Sequence, residues 1–178
     1  MEKLVERPVS ELNYEGREKE MPMKERYPSV GTEVEITSEM CDLNGHMNVV
    51  FYYQIFEDGC SAFFEDMGFS PEYFDAGFSN FTLETNLKYL KEMKQGEIAL
   101  PCYRIFDLRP KLIHYGGVIL NKAGEISAAI ESVVVHIDMK TRRSCEMGEE
   151  MYGNLERMFS VHEGSGDLDF ELRLSIRK

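Results

Sequence analysis

An α+β fold, with one helix laid against one face of an antiparallel sheet, is what the sequence predicts, and three observations predict it. One broadly apolar helical segment follows a first strand pattern. Four period-two segments rich in Val, Ile and Tyr follow that helix. The turns between them are short. Short connections make antiparallel neighbours, because a parallel crossover needs a dozen residues or more.

Taken in order, Val34 and Ile36 alternate with Glu33, Glu35 and Thr37, a strand ending near Ser38. Asn48 can cap a helix running to about Met67 and closed by Gly68. On it Tyr52, Tyr53, Ile55, Phe56, Cys60, Phe63, Phe64 and Met67 recur at helical spacing, opposed by Gln54, Asp58, Ser61 and Glu65. So broad an apolar face suits a helix wrapped by a sheet. Phe69 to Gly77 reads as a connection with at most one more helical turn. The period then changes to two: Phe81, Leu83, Thr85, Leu87 and Tyr89 share one face, and Thr82, Glu84, Asn86 and Lys88 the other. Further strands are expected over Ile98–Leu108, where Pro101 implies an edge or a bulge, over Lys111–Leu120, and over Ile126–Met139. Glu146 to Phe159 fits a helix. The tail beyond Val161 is Gly-rich and then alternates weakly, which fixes no element. The expected organisation is an N-terminal extension over residues 1–28, one domain over 29–145, and a C-terminal helix and tail over 146–178. One helix covers one sheet face, so the other needs a cover, which predicts a homodimer or homotetramer.

The bulk composition narrows the function classes. The chain has 178 residues, 43% hydrophobic and 29% charged, which fits a globular domain with a real core. No run of 18 apolar residues appears and the N-terminus lacks the apolar stretch of a signal peptide, so no membrane association and a cytoplasmic location are expected. A net charge of −12 argues against nucleic acid as a partner. Cys41, Cys60, Cys102 and Cys145 lie far apart without metal-ligand spacing, and reduced thiols and no metal site are expected. The charge is segregated: no Lys or Arg lies between Tyr27 and Leu87, whereas Lys88, Lys91, Lys94, Arg104, Arg109, Lys111, Lys122, Lys140, Arg142 and Arg143 follow. That second half can host an anionic group, or its charges can simply solvate strand edges.

Cys41-Asp42-Leu43-Asn44-Gly45-His46-Met47-Asn48 puts an acid, two carboxamides and an imidazole at the predicted strand-to-helix junction, where free backbone N–H groups favour developing negative charge. Asp42 and Asn44 are equally ordinary turn and capping residues, and His46 reads equally as a satisfied junction histidine. Glu57 lies at the margin of the helix's polar stripe. Cys41 is a further candidate nucleophile, though the sequence sets no second group beside it to activate the thiol.

Asp42-x-Asn44-Gly45-His46-Met47-Asn48, then Tyr52 and Glu57, resembles the Asp-x-x-x-His-(Val/Met)-Asn…Tyr…Glu signature of the hot-dog fold acyl-CoA thioesterases, over about Gly31 to Arg143. Phe81-Thr82-Leu83-Glu84, Tyr89-Leu90-Lys91-Glu92 and His136-Ile137-Asp138…Arg142-Arg143 resemble more narrowly the betainyl-CoA thioesterase branch, with Asn86 standing where that branch usually has His. The resemblance implies a hot-dog fold, an antiparallel sheet wrapped around one long central helix, and hydrolysis of an acyl-CoA thioester. It makes Asp42 the catalytic carboxylate, activating water or attacking directly. Asn44 and His46 would position water or thioester, N–H groups near Gly45 to Asn48 would hold the oxyanion, and Glu57 would orient His46 or a second water.

Substrate contacts are implied at Asn48, Tyr52, Thr82 and Glu84, and Lys88, Arg109, Lys111 and Arg143 are candidates for the CoA phosphates. No cofactor is expected beyond CoA as part of the substrate. The aromatic residues Phe51, Tyr52, Tyr53, Phe56, Phe63, Phe64, Phe69, Phe74, Phe78 and Phe81 are mostly core. A few can cage a trimethylammonium head or line a fatty chain. A hot-dog enoyl-CoA hydratase and a non-catalytic acyl-CoA binder are the competing readings.

Overall fold

The computed structural model of the protein describes residues 22–176; the first 21 residues of the expected N-terminal extension lie outside them. The elements are α1 (Met23–Arg26), β1 (Ser29–Val30), β2 (Val34–Glu35), α2 (Val49–Gly59), α3 (Ser61–Asp66), α4 (Pro71–Asp75), β3 (Phe78–Tyr89), β4 (Ile98–Arg109), β5 (Leu112–Leu120), β6 (Ile126–Asp138), β7 (Arg143–Ser144) and α5 (Glu149–Glu163). The strands form one sheet in the order β1-β4-β5-β6-β3, with β2 also on β4 and β7 on β6, and every pairing is antiparallel. The α+β expectation therefore holds. Among the described residues β3 pairs with β6 alone, leaving its other edge free.

The helix is shorter than its pattern predicts, and the cause lies on β4. In an unbroken helix the Cys60 N–H would donate to the carbonyl of Phe56. Tyr103 Oη takes that carbonyl instead (2.7 Å), and Cys60 N donates to Glu57 O (3.3 Å). A hydroxyl inserted into the ladder separates α2 from α3. Gly59 is required at the same crossing, since a Cβ there would stand 2.5 Å from Tyr103 Oη and 2.7 Å from Pro101 Cγ.

The inner sheet face carries the main core. Ile36, Met47, Tyr52, Ile55, Phe56, Phe63 and Met67 pack on Tyr103, Ile105, Tyr115, Ile119, Ile130 and Val134. Met151 and Leu155 of α5 close the core, and His162 of α5 accepts a hydrogen bond from the Ile105 N–H (2.9 Å) where β1 no longer covers the edge of β4. A second apolar cluster of Tyr27, Cys102, Val118, Leu120 and Ala129 lies on the outer face, under Met23, Leu168 and Phe170. The outer face is thus covered by the chain's own ends, a cover that the sequence reading assigned to a second subunit.

β3 departs from simple alternation. Its register slips between Thr82 and Glu84, so Leu83 is an extra residue, 61% exposed. The slip reverses the faces on its two sides: Phe81 lies opposite Val135, on the outer face, whereas Thr85, Leu87 and Tyr89 lie opposite Ser132, Ile130 and Ala128, on the inner face. The expectation that Phe81 shares a face with Thr85, Leu87 and Tyr89 fails for this reason.

Candidate active site

The stretch from Cys41 to Met47 is a tight antiparallel loop closed by a bridge between those two residues. The Asp42 N–H donates to His46 O (3.1 Å) and the Gly45 N–H to Asp42 O (3.0 Å), with Gly45 at φ +80°. That left-handed turn needs glycine or a small polar residue. The loop is held from outside by Met47 N to Met93 O (2.7 Å) and Asn48 N to Met40 O (2.8 Å). Tyr52 Oη secures the same neighbourhood, donating to Lys91 O (3.2 Å) and accepting from Met93 N (3.1 Å). Both polar capacities of Tyr52 are therefore used inside the protein, and its role here is to staple α2 to the segment after β3.

Within this frame three predicted residues come together. Asp42 Oδ1 accepts from the Asn44 N–H (2.8 Å), and Oδ2 from Asn48 Nδ2 (3.2 Å). Asn48 also caps α2, its Oδ1 accepting from Val50 N (3.2 Å). One carboxamide thus ties the carboxylate to the helix N-terminus, where the helix dipole favours negative charge. His46 Nδ1 lies 3.2 Å from the carbonyl of Met47. A carbonyl only accepts, so Nδ1 carries the proton in the neutral ring and Nε2 is left as an acceptor. His46, Met47, Val49, Tyr52, Tyr89, Leu90, Lys91 and Glu92 line a recess of about 230 Å³ beside the loop.

The expected oxyanion donors need correction. Of the N–H groups from Gly45 to Asn48, those of Gly45, Met47 and Asn48 are spent on Asp42, Met93 and Met40 carbonyls. The N–H groups of His46 and of Val49, the first helical residue, have no partner among the described residues.

The remaining candidates lie apart from Asp42. Glu57 is nine residues along α2 from Asn48, about 13 Å of helix, and within one protomer it does not reach His46. Burial raises its carboxyl pKa, and a hydrogen bond from Tyr53 opposes that rise. Thr82 and Glu84 are exposed on the free edge strand. Lys88 Nζ is bonded to the Glu171 carbonyl on the outer face, so its expected role at the CoA phosphates has no support in this arrangement. Arg109, Lys111 and Arg143 are exposed at the far end of the sheet, separated from the loop by β4, whose twelve residues span on the order of 35 Å.

Three polar groupings complete the picture; the sequence reading set His114 and His136 against strand neighbours but named none of their partners. His136, buried under Tyr73 and Phe78, has Nε2 2.8 Å from Tyr73 Oη and Nδ1 3.0 Å from Cys145 O. Glu131, His114 and Asn86 form a buried cluster on the outer face. His162 is held near a pKa of about 4 by burial and by the nearby Arg104 charge. The available signal was a His or Glu inside an apolar strand pattern, as at His114, Glu131 and His136. That pattern implies a buried polar residue with partners.

The fold and loop together define a hot-dog protein with a carboxylate at the mouth of its central helix. Residues 36–155 match the model of the Thioesterase-like superfamily, and the chain belongs to that superfamily. It is 30% identical over 138 residues to an L-carnitine dehydrogenase/betainyl-CoA thioesterase of Agrobacterium fabrum, covering 78% of this chain and 28% of that protein. The chain therefore spans less than a third of that relative's length. A betainyl-CoA thioesterase of Pseudomonas aeruginosa is 27% identical over 132 residues, 73% of this chain and 83% of that one. Among solved structures, a Staphylococcus aureus protein in complex with CoA superposes with a TM-score of 0.71 at 23% identity, covering 82% of this chain and 94% of its own. A DHNA-CoA thioesterase from Staphylococcus aureus superposes with a TM-score of 0.68 at 17% identity, covering 79% and 96%. At such identities these structures speak for the fold. No helix among the described residues is long and apolar enough to cross a membrane.

Proposed function

We propose that this protein hydrolyses the thioester of a small acyl-CoA to the free acid and CoA, with Asp42 as the reacting carboxylate. The observation that carries this reading is the Asp42 carboxylate, held on both oxygens at the N-terminus of α2 in a loop whose His46 and Met47 line a recess. Asp42 either takes a proton from the attacking water or attacks the carbonyl carbon itself, giving an anhydride that water then opens. In both routes the C–S bond breaks and the CoA thiolate collects a proton. The His46 and Val49 N–H groups are the donors placed for the oxyanion, and Asn44 and Asn48 fix the carboxylate. The chemistry proposed needs no cofactor beyond CoA itself. A cytoplasmic location belongs to the same reading, supported by the free thiols of Cys41, Cys60 and Cys145.

The active unit proposed is a homodimer joined along the free edges of β3. Leu83, Tyr89 and Leu90 at that edge and Val49, Val50 and Tyr53 of α2 form an exposed apolar surface. An antiparallel two-fold pairing sets the Phe78 end of one β3 against the Tyr89 end of the other. The far sheet end of one copy, with Arg109, Lys111 and Arg143, then approaches the Asp42 loop of its mate, where these cations suit CoA phosphates. The same end carries a recess of about 550 Å³ between α4 and α5, lined by Tyr73, Phe78, Glu72, Glu146 and Glu150. Aromatic faces and carboxylates without a basic side chain suit a trimethylammonium acyl head, so betainyl-CoA is the proposed substrate.

A panel of acyl-CoA thioesters assayed by free-thiol release tests the reading. Asp42→Ala is expected to lose roughly 10²–10⁴-fold in kcat. Unchanged hydrolysis in that variant would overturn the assignment, and tight binding of every ester without turnover would make the protein a non-catalytic binder. Enoyl-CoA esters followed by absorbance check the hydratase alternative in the same series. Comparing betainyl-CoA with the ester whose quaternary nitrogen is carbon isolates the head group. Equal kcat/KM for the two would remove the cationic substrate and leave the thioesterase reading standing.

A further inference from the structure

The recess of about 550 Å³ has two walls, and neither is fixed by its own backbone alone. One wall is α4, a single turn of five residues capped by Ser70. So short a helix is not stable through its internal hydrogen bonds. The other wall begins at Glu146 and Gly148, in the segment that leads from β7 into α5. One buried residue touches both: His136 of β6, 2% exposed.

Each ring nitrogen of His136 holds one wall. Nδ1 faces the Cys145 carbonyl at 3.0 Å, with the Cys145 Sγ at 3.3 Å. A carbonyl only accepts, so Nδ1 carries the proton and Nε2 is left as the acceptor. The Tyr73 hydroxyl, 2.8 Å away, therefore donates to Nε2. Burial lowers the pKa of the imidazole and raises that of the Tyr73 phenol, which keeps the ring neutral and the hydroxyl protonated, as this pairing requires. Ring contacts reinforce the tethers: Phe78 stacks on the imidazole at 5.5 Å and 20°, and the Tyr73 ring lies 5.9 Å from it. A cation is held by an aromatic face only within about 6 Å of the ring centroid. The spacing and tilt of the walls therefore decide whether a trimethylammonium head stays bound.

We propose that His136 is a positioning residue that sets the width of this recess, tying α4 through the Tyr73 hydroxyl and the approach to α5 through the Cys145 carbonyl, and so fixes the aromatic wall that selects a quaternary ammonium head. The inference rests on the reading of this recess as the acyl-head site. His136 lies under the aromatic rings and acts through Tyr73.

The test is a titration of the full chain with tetramethylammonium chloride, followed by the amide NMR shifts of Tyr73, Phe78 and Gly148, with lithium chloride as the control for ionic strength. In the wild type these amides are expected to move with tetramethylammonium alone. If they do not, the cationic head leaves the recess and this inference falls with it, while the Asp42→Ala assay judges hydrolysis independently. In Tyr73→Phe the ring face remains and only the tether is lost, so Kd is expected to rise roughly 3- to 10-fold, the equivalent of one neutral hydrogen bond. His136→Phe is expected to raise Kd at least as much, and the double variant no more than His136→Phe alone, because both substitutions cut the same tether. His136→Gln carries an acceptor and a donor on one side chain and is expected to bind within about twofold of the wild type. An unchanged Kd in Tyr73→Phe, or losses that add in the double variant, would overturn the tether. So would His136→Gln binding as weakly as His136→Phe at an unchanged melting temperature, which would assign the effect to imidazole packing. If His136→Phe fails to fold, Tyr73→Phe and His136→Gln decide between them, since the first removes one hydrogen bond and the second keeps both.

Discussion

The two faces of the sheet are held by different physics. The inner face is apolar and packed by shape: Phe56 lies 4.9 Å from the Tyr103 ring and 6.3 Å from that of Tyr115, with α2 and α3 filling the concavity. The outer face has a smaller apolar cluster, a buried carboxylate with four donors, and an extended segment in place of a helix. Packing loses stability in proportion to the volume removed, whereas a buried acid loses it donor by donor. The difference predicts that damage to the inner face unfolds the domain and damage to the outer face first frees the tail.

The largest effect tests the first half of that statement. Phe56→Ala removes a fully buried ring at the centre of the inner core and is expected to cost about 3–5 kcal/mol, read as a shift of the urea midpoint with unchanged slope. A loss below about 1 kcal/mol would mean that the inner face is no more tightly specified than the outer.

The same contrast explains what could be read from the chain. Helical spacing from Tyr52 to Met67 and period two from Thr85 onward both record burial of apolar side chains, and both led to the observed layers. The interruption at Cys60 was hidden because its cause, the Tyr103 hydroxyl, lies more than forty residues away. The slip at Leu83 was hidden because Thr82 and Glu84 look alike on either side of it. In the candidate site, Asp42, Asn44 and Asn48 were legible as one short motif, and they meet in one hydrogen-bonded group. Tyr52 was taken for a substrate contact because its hydroxyl partners, Lys91 and Met93, belong to a segment without pattern. The tail's alternation from Leu168 to Ile176 was visible, but nothing in it names the buried acid on which it rests.

A second, smaller effect probes the rim between the faces. Burial holds His162 neutral down to about pH 4, and its ring accepts the Ile105 N–H and stacks on Phe63. The unfolded chain takes up that proton near pH 6.5 and the folded one does not, so stability falls as pH drops from about 6.5 towards 4. The pKa values of His114 and His136 are also lowered by burial, and they act in the same direction. His162→Gln keeps an acceptor and removes the titration. It is expected to recover on the order of 2–3 kcal/mol of the acid loss, seen as a flatter dependence of the unfolding midpoint between pH 7 and pH 4.5. An unchanged pH profile would place the acid sensitivity elsewhere.

The smallest effect separates the carboxylate from the packing around it. Burial alone would raise the pKa of Glu131; its donors, Asn86 first among them, overcome burial and hold it below the ordinary carboxylate value. Its contribution is therefore present at neutral pH and lost as pH falls below about 4.5. Asn86→Ala removes one donor on the β3 side and leaves His114 and the Arg173 and Leu174 N–H groups in place. The expected cost is about 1.5 kcal/mol, with faster amide exchange at Arg173 and Leu174 and little change at Ile130 in the core. Once Glu131→Gln has removed the charge, the same substitution should cost almost nothing, because a neutral amide gains far less from that donor. Equal costs in the two backgrounds would mean that Asn86 stabilises β3 by packing alone, and that the outer face is held by the apolar tail residues and not by the acid beneath them.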